Sequence, residues 1–167
     1  MILLHNIGAL KHPNYNTISR ILGSEGPISF DGVYRNVYSH MPTLEELKGK
    51  RRIILFVMGD YVGADNTFDS KMPRERFCDW PEIVELCQFT GAELGWHTWG
   101  HPDLTKLSDD EIRMEVTPPF QMDYFAYPYG AVDSRVANIV QAAGFKEAWS
   151  VHQGDGSPMQ QNRSYLK

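Results

Sequence analysis

The chain has 167 residues, 42% hydrophobic and 22% charged, with a formal net charge of −5. That size and balance predict a single soluble domain over residues 1–167. The acidic balance leaves no footprint for nucleic acid, and no apolar run is long enough to span a bilayer. The opening Met1-Ile2-Leu3-Leu4-His5 lacks the basic start and apolar length of a signal peptide. Cys78 and Cys87 have no metal-type spacing and read as thiols, which fits a reducing, cytoplasmic setting. Nothing in the pattern fixes an oligomeric state.

In chain order, residues 2–4 read as a short strand ending at His5. Asn16 can cap a helix with Ile18, Ile21 and Leu22 at helical spacing and Gly23 past its end. The run 27–30 is a second strand, ending at Asp31-Gly32. Residues 42–48 read as a helix, with Thr43 and Glu46 as a capping box. The run 53–58 is apolar without alternation, as a strand covered on both faces is, and ends at Gly59-Asp60-Tyr61. A polar loop fills 64–76, and a helix with Ile83, Val84, Leu86 and Cys87 on one side fills 81–89. The strand 92–96 runs into His97-Thr98-Trp99-Gly100-His101-Pro102. Ser108 and Glu111 start another helix, which runs to about Val116. The strand 124–127 ends in Pro128-Tyr129-Gly130. Ser134 can cap a helix striped by Val136, Ile139, Val140 and Ala143. A last strand, 147–151, ends at His152, and the polar tail 153–167 has no strong pattern.

Six strands alternating with five helices predict a parallel sheet joined by right-handed crossovers. His5, Asp31, Asp60, His97 and His152 then fall at or just after strand C-terminal ends, which open onto one face in such folds. His97 and His101 project from one glycine-punctuated turn. Imidazole is the commonest side-chain metal ligand, and two can hold a divalent ion with positions left open. The plain alternative is two surface histidines in a turn.

Four stretches carry a further signal: Ile28-Ser29-Phe30-Asp31-Gly32-Val33-Tyr34-Arg35-Asn36, Leu55-Phe56-Val57-Met58-Gly59-Asp60, His97-Thr98-Trp99-Gly100-His101-Pro102-Asp103-Leu104 and Phe125-Ala126-Tyr127-Pro128-Tyr129-Gly130. In order and spacing they resemble the polysaccharide deacetylases of carbohydrate esterase family 4, the NodB homology group, over about residues 25–150. The resemblance implies an α/β fold, a distorted or incomplete parallel (β/α) barrel of about six to seven strands. It implies metal-dependent hydrolysis of an N-acetyl or related acyl group on a sugar. His97 and His101 would hold the divalent ion, most often zinc.

An alignment without a gap makes Asp31 the catalytic base and puts Gly32 where the family has a metal-binding aspartate. A gapped alignment makes Asp31 the ligand and removes the base. Tyr34-Arg35-Asn36 stays in register only in the first. Either way one carboxylate is missing, and His5, Asp60 or Asp65 could substitute. The arginine that often precedes the Pro-x-Gly motif is Ala126 here, and His152 is the only late histidine for the general acid's place. By the same resemblance the Tyr129 backbone N–H would face the oxyanion, and Trp99, Tyr127, Pro128 and Tyr129 would line the sugar. The substrate expected is an intracellular nucleotide- or lipid-linked sugar in surface polysaccharide biosynthesis. Two alternatives follow from Gly32 and the shared machinery: an impaired deacetylase-like protein that binds a glycan or a partner, and a hydrolase of another C–N bond such as N-formyl.

Overall fold

Apolar strands that do not alternate need cover on both faces. The chain supplies it by rolling its strands into a barrel inside a layer of helices. A computed structural model describes residues 1–7, 15–16, 18–67, 73–151 and 154–166. The strands are β1 (Ile2–Leu4), β2 (Asn6–Ile7), β3 (Tyr15–Asn16), β4 (Ile28–Asp31), β5 (Ile53–Val57), β6 (Glu93–Trp96), β7 (Tyr124–Ala126), β8 (Glu147–Val151) and β9 (Gln161–Tyr165). β1 and β4 to β9 form a closed, all-parallel barrel in the order β1-β4-β5-β6-β7-β8-β9, and β9 pairs back onto β1. β2 and β3 pair with each other beside it. The expected parallel barrel is therefore present, with seven strands.

The helices are α1 (Ile18–Gly23), α2 (Arg35–Ser39), α3 (Met41–Glu45), α4 (Trp80–Thr90), α5 (Asp109–Glu115) and α6 (Ser134–Ala142). α4 starts with a reciprocal cap: the Asp79 side chain accepts from the Glu82 N–H, and the Glu82 side chain accepts from the Asp79 N–H. It stops at Gly91, whose φ of 71° lies in the left-handed region. α5 carries the same box between Ser108 and Glu111, as its sequence predicts.

Three local expectations shift. Thr43 does not cap: α3 begins at Met41 after His40, with no side-chain cap, so Thr43 and Glu46 fall within or at the end of the helix. α6 is capped by Asp133, which accepts from the Val136 N–H, and Ser134 is already helical. The sequence pattern predicts neither α2 and β9 nor the short pair β2 and β3, where Asn16, read as a helix cap, lies in a strand. α2 has five residues and buries only Val37, too little for a stripe. β9 is polar throughout and buries only Arg163. It is a strand because β8 and β1 each offer it an edge and closure pairs both.

The barrel interior and its outer wall form separate cores. Ile54, Phe56, Ala126 and Trp149 make a small inner cluster. The larger cluster joins the outward faces of the strands, such as Phe30, Leu55 and Phe125, to helix residues such as Ile83, Ile112 and Val140. Phe56 pairs in register with Gly95, and a Cβ at Gly95 would lie 2.5 Å from the Phe56 ring. Position 95 must be glycine for Phe56 to fill the barrel beneath the rim.

Candidate active site

Asp31 ends β4 and lies inside the barrel, 5% exposed. Arg163 of β9 grips it with both terminal nitrogens, Nη2 at 2.9 Å from Oδ2, while Nη1 also donates to Ser29 Oγ at 3.0 Å. The guanidinium lies 5.1 Å above the Phe56 ring. A buried carboxylate needs such a partner, because an unpaired charge in a dry interior is costly. Burial pushes the Asp31 carboxyl up, but the charge and hydrogen bonds of Arg163 outweigh it and hold it at about 2.

His97 follows β6 and is 1% exposed. Its Nδ1 lies 2.7 Å from the Ala126 carbonyl oxygen. A carbonyl can only accept, so Nδ1 carries the proton and Nε2 keeps its lone pair. Burial lowers the His97 pKa against the pull of Asp31, so the ring is neutral. His97 Nε2 faces Asp31 Oδ2 at 3.5 Å. Both atoms are acceptors, so they make no hydrogen bond with each other, an arrangement that an electrophile or a proton donor would relieve. The His101 ring stands 4.8 Å from that of His97 and 4.7 Å from that of Tyr129. Burial pushes the His101 imidazole down to about 3, so it too is neutral.

The backbone around these groups is strained. Thr98 (φ 70°), His101 (φ 61°) and Tyr129 (φ 58°) are the non-glycine residues with positive φ among those described. Each costs on the order of 1–3 kcal/mol, a strain that clusters at functional sites. All three belong to the two turns that face each other across the rim.

Neutral imidazoles, one oriented by a carbonyl behind it, fit a divalent cation in donor chemistry. Their number does not reach the three protein ligands of a catalytic zinc site. Among the described residues no three His, Cys, Asp or Glu side chains form a metal-binding group. The Asp31 oxygens are engaged by Arg163. At Gly32 (φ +65°) a Cβ would lie 2.8 Å from both Met58 Cε and Phe77 Cε1, so apolar side chains fill the place of a second carboxylate.

The remaining candidates scatter. His5 follows β1, stacks on Tyr165 at 6.0 Å, and stands near enough for its charge to act on Asp31 and His101. Asp60 is exposed beside the histidine turn, where its N–H donates to the Trp99 carbonyl. Asp65 is exposed and bridges to Arg76, away from the histidines. Neither aspartate completes a three-ligand group among the described residues. His152 lies outside the described residues. Tyr129 is 66% exposed and offers a ring to a ligand. Tyr127 and Pro128 do not: both are buried, and the Tyr127 hydroxyl donates to the Met159 carbonyl, so they pack the wall beneath. Trp99 is half-buried, edge-on to Trp96, with its indole N–H on the Thr117 carbonyl. Sequence reasoning missed Arg163. The available signal was electrostatic: a lone aspartate inside a parallel barrel requires a cation, and the tail held the strand that closes it.

The sequence profile of the polysaccharide deacetylases matches residues 27–148, most of the chain. The chain belongs to the polysaccharide deacetylase family. This deacetylase-family chain is 37% identical over 75 residues to chitin deacetylase 1 of Saccharomyces cerevisiae, covering 40% of this chain and 25% of that protein. It is 27% identical over 88 residues to the chitooligosaccharide deacetylase of Azorhizobium caulinodans, covering 46% and 42% respectively. The matches thus span under half the length of these relatives. In fold it is similar to IcaB of Ammonifex degensii (TM-score 0.72, 17% identity, covering 99% of this chain and 91% of that one). It is also similar to the Streptococcus pyogenes deacetylase PplD in complex with acetate (TM-score 0.76, 15% identity, the same coverage). At such identities the likeness is one of fold. The family's hydrolases act on acetylated sugars and are generally metal-dependent.

Proposed function

We propose that this chain removes an N-acetyl or related acyl group from a sugar at the Asp31–His97–His101 rim. The observation that supports this most is the approach of two acceptors, His97 Nε2 and Asp31 Oδ2, to 3.5 Å, beside a second neutral imidazole. A divalent cation held by His97 and His101, zinc in our reading, would polarise the acyl oxygen and acidify the attacking water, the condition under which a carboxylate as weakly basic as Asp31 can accept its proton.

This chain's own residues supply the other roles. Asp31, fixed by Arg163, takes the proton as water adds to the carbonyl carbon. The Tyr129 N–H serves the oxyanion, and the strained backbone there sets its position. The C–N bond breaks only as its nitrogen gains a proton, because an amide anion is too basic to leave. His5 is the described histidine on the rim free of the metal assignment, and we give it that role. The Tyr129 ring, beside His101, stacks on the sugar. Two free thiols, Cys78 and Cys87, accord with a reducing compartment and a nucleotide- or lipid-linked sugar made there for the cell surface.

The test is acetate release from N-acetylated chitooligosaccharides and N-acetylated nucleotide sugars, with zinc and with a chelator. Release should require the cation, and Asp31→Asn should cut it by about 10²–10⁴-fold. An N-formyl panel separates that alternative. The closed pocket at Gly32 favours a second reading, a glycan binder without turnover. Glycan binding without release, at any metal loading, would establish it in place of the first.

A further inference from the structure

α5 ends in an acidic residue. Glu115 is its last helical position, where the helix dipole disfavours a carboxylate by about 0.3–1 kcal/mol. The side chain has turned toward the barrel rim. Its Oε2 accepts the backbone N–H groups of Trp99 at 2.9 Å and Gly100 at 3.0 Å. Two carbonyls at the same helix end, which no later turn would satisfy, accept indole N–H groups: Glu115 O from Trp96 and Thr117 O from Trp99, both at 2.9 Å. Three donors from the histidine turn and one from Trp96 at the end of β6 therefore close on one helix end.

The opposite edge of the turn is held as well. Thr98 O accepts from the Gly59 N–H at 3.0 Å, and Trp99 O from the Asp60 N–H at 3.2 Å. The His101 N–H donates to Thr98 Oγ1 at 2.9 Å. Between Thr98 and His101, both left-handed, the Trp99 and Gly100 amides thus rest on a single side chain, Glu115. His97 has separate supports, the Val57 and Ala126 carbonyls of the adjoining strands.

We propose that Glu115 is a positioning residue: it clamps the strained turn so that the His101 imidazole stands opposite that of His97. The proposal rests on the reading that these two imidazoles form the working site. Glu115 touches neither substrate nor reacting atoms. Its claim is specific to His101, because His97 is anchored without it.

The experiment compares the full chain with Glu115→Ala, Glu115→Gln and Glu115→Asp. Gln keeps an acceptor oxygen at the same reach, whereas Asp keeps the charge but withdraws the acceptor by one methylene. The first readout is the imidazole and amide NMR spectrum without metal. In Ala and Asp the His101, Trp99 and Gly100 signals should shift and broaden while those of His97 stay; in Gln they should stay near the parent. Unchanged His101 signals in both Ala and Asp would overturn the proposal. The second readout is calorimetric zinc titration, where Ala and Asp should lose about 10–100-fold in affinity and Gln should recover most of it. Equal affinity in all four proteins would also overturn it. Should Ala fail to fold, the Asp and Gln pair decides alone. If the parent itself binds no zinc, the proposed function fails, and the metal-free spectra still judge the clamp. Where acetate release is measurable, Ala should lower kcat and leave KM near the parent's.

Discussion

The two ends of the barrel carry the same chemistry in different surroundings. At the C-terminal rim, Arg163 pairs with Asp31 over the Phe56 ring, with side chains 0% and 6% exposed. At the N-terminal mouth, Arg52 pairs with Glu93 at 2.9 Å and Glu147 at 3.5 Å over the rings of Tyr124 and Trp149, with side chains 30–40% exposed. The exposed cluster is screened by water and stands as a plug. The buried one keeps a charged pair in a dry place that apolar side chains would fill at no loss of stability. An arrangement that stability alone does not call for, next to two strained turns and two neutral imidazoles, supports placing the proposed chemistry at this end.

The difference is largest under charge removal. Arg163→Leu leaves Asp31 buried and uncompensated and should cost about 3–5 kcal/mol in urea unfolding, with loss of acetate release. A cost near that of an exposed pair would erase the contrast between the two ends.

Acid should sharpen the same contrast. The His101 imidazole ordinarily titrates at 6.5 and is held at about 3 in the fold. The unfolded chain takes that proton first, so stability falls as pH drops from about 6.5 toward 3. The Asp31 carboxyl, at about 2 against an ordinary 3.8, adds stability that is complete above pH 4 and lost between about 4 and 2, on the order of 2 kcal/mol. Denaturant midpoints across pH should show both limbs. His101→Asn should shrink the upper limb, to which buried His97 also contributes, and Asp31→Asn should shrink the lower.

Arg52→Met is the smallest effect. Its partly exposed pairs and ring contacts predict a loss of about 1 kcal/mol or less, with the rate of acetate release unchanged. A fall in activity on this substitution would mean the two ends are coupled through the inner core of Ile54, Phe56, Ala126 and Trp149.

Much of this molecule is legible before any coordinates. The unbroken apolar run 53–57, the capping box at Ser108, and the glycine-punctuated turn with His97 and His101 each declare themselves within a few residues. Such signals are local: hydrophobic cover, a cap and a turn depend on near neighbours in sequence. The misses are of the other kind. Gln161-Asn162-Arg163-Ser164-Tyr165 has no apolar residue to mark which face is inward beyond its closing tyrosine. Tyr127 reads as a ligand-facing ring in its motif, yet its hydroxyl belongs to Met159, over thirty residues away. Asp133 displaced Ser134 as a cap by a single residue, within the ordinary slack of helix ends.

The sequence by itself determined the alternation of parallel strands and helices and the pair of imidazoles, and its motifs carried the resemblance to the family and its barrel, because periodicity, caps and motif spacing are written in adjacent residues. Only the tertiary structure decided that Asp31 is shared with Arg163, that Met58 and Phe77 close the space at Gly32, and that Glu115 grips the histidine turn. Those choices join residues far apart in the chain. They are settled by which side chains share the barrel's interior and rim once its last strand has closed it.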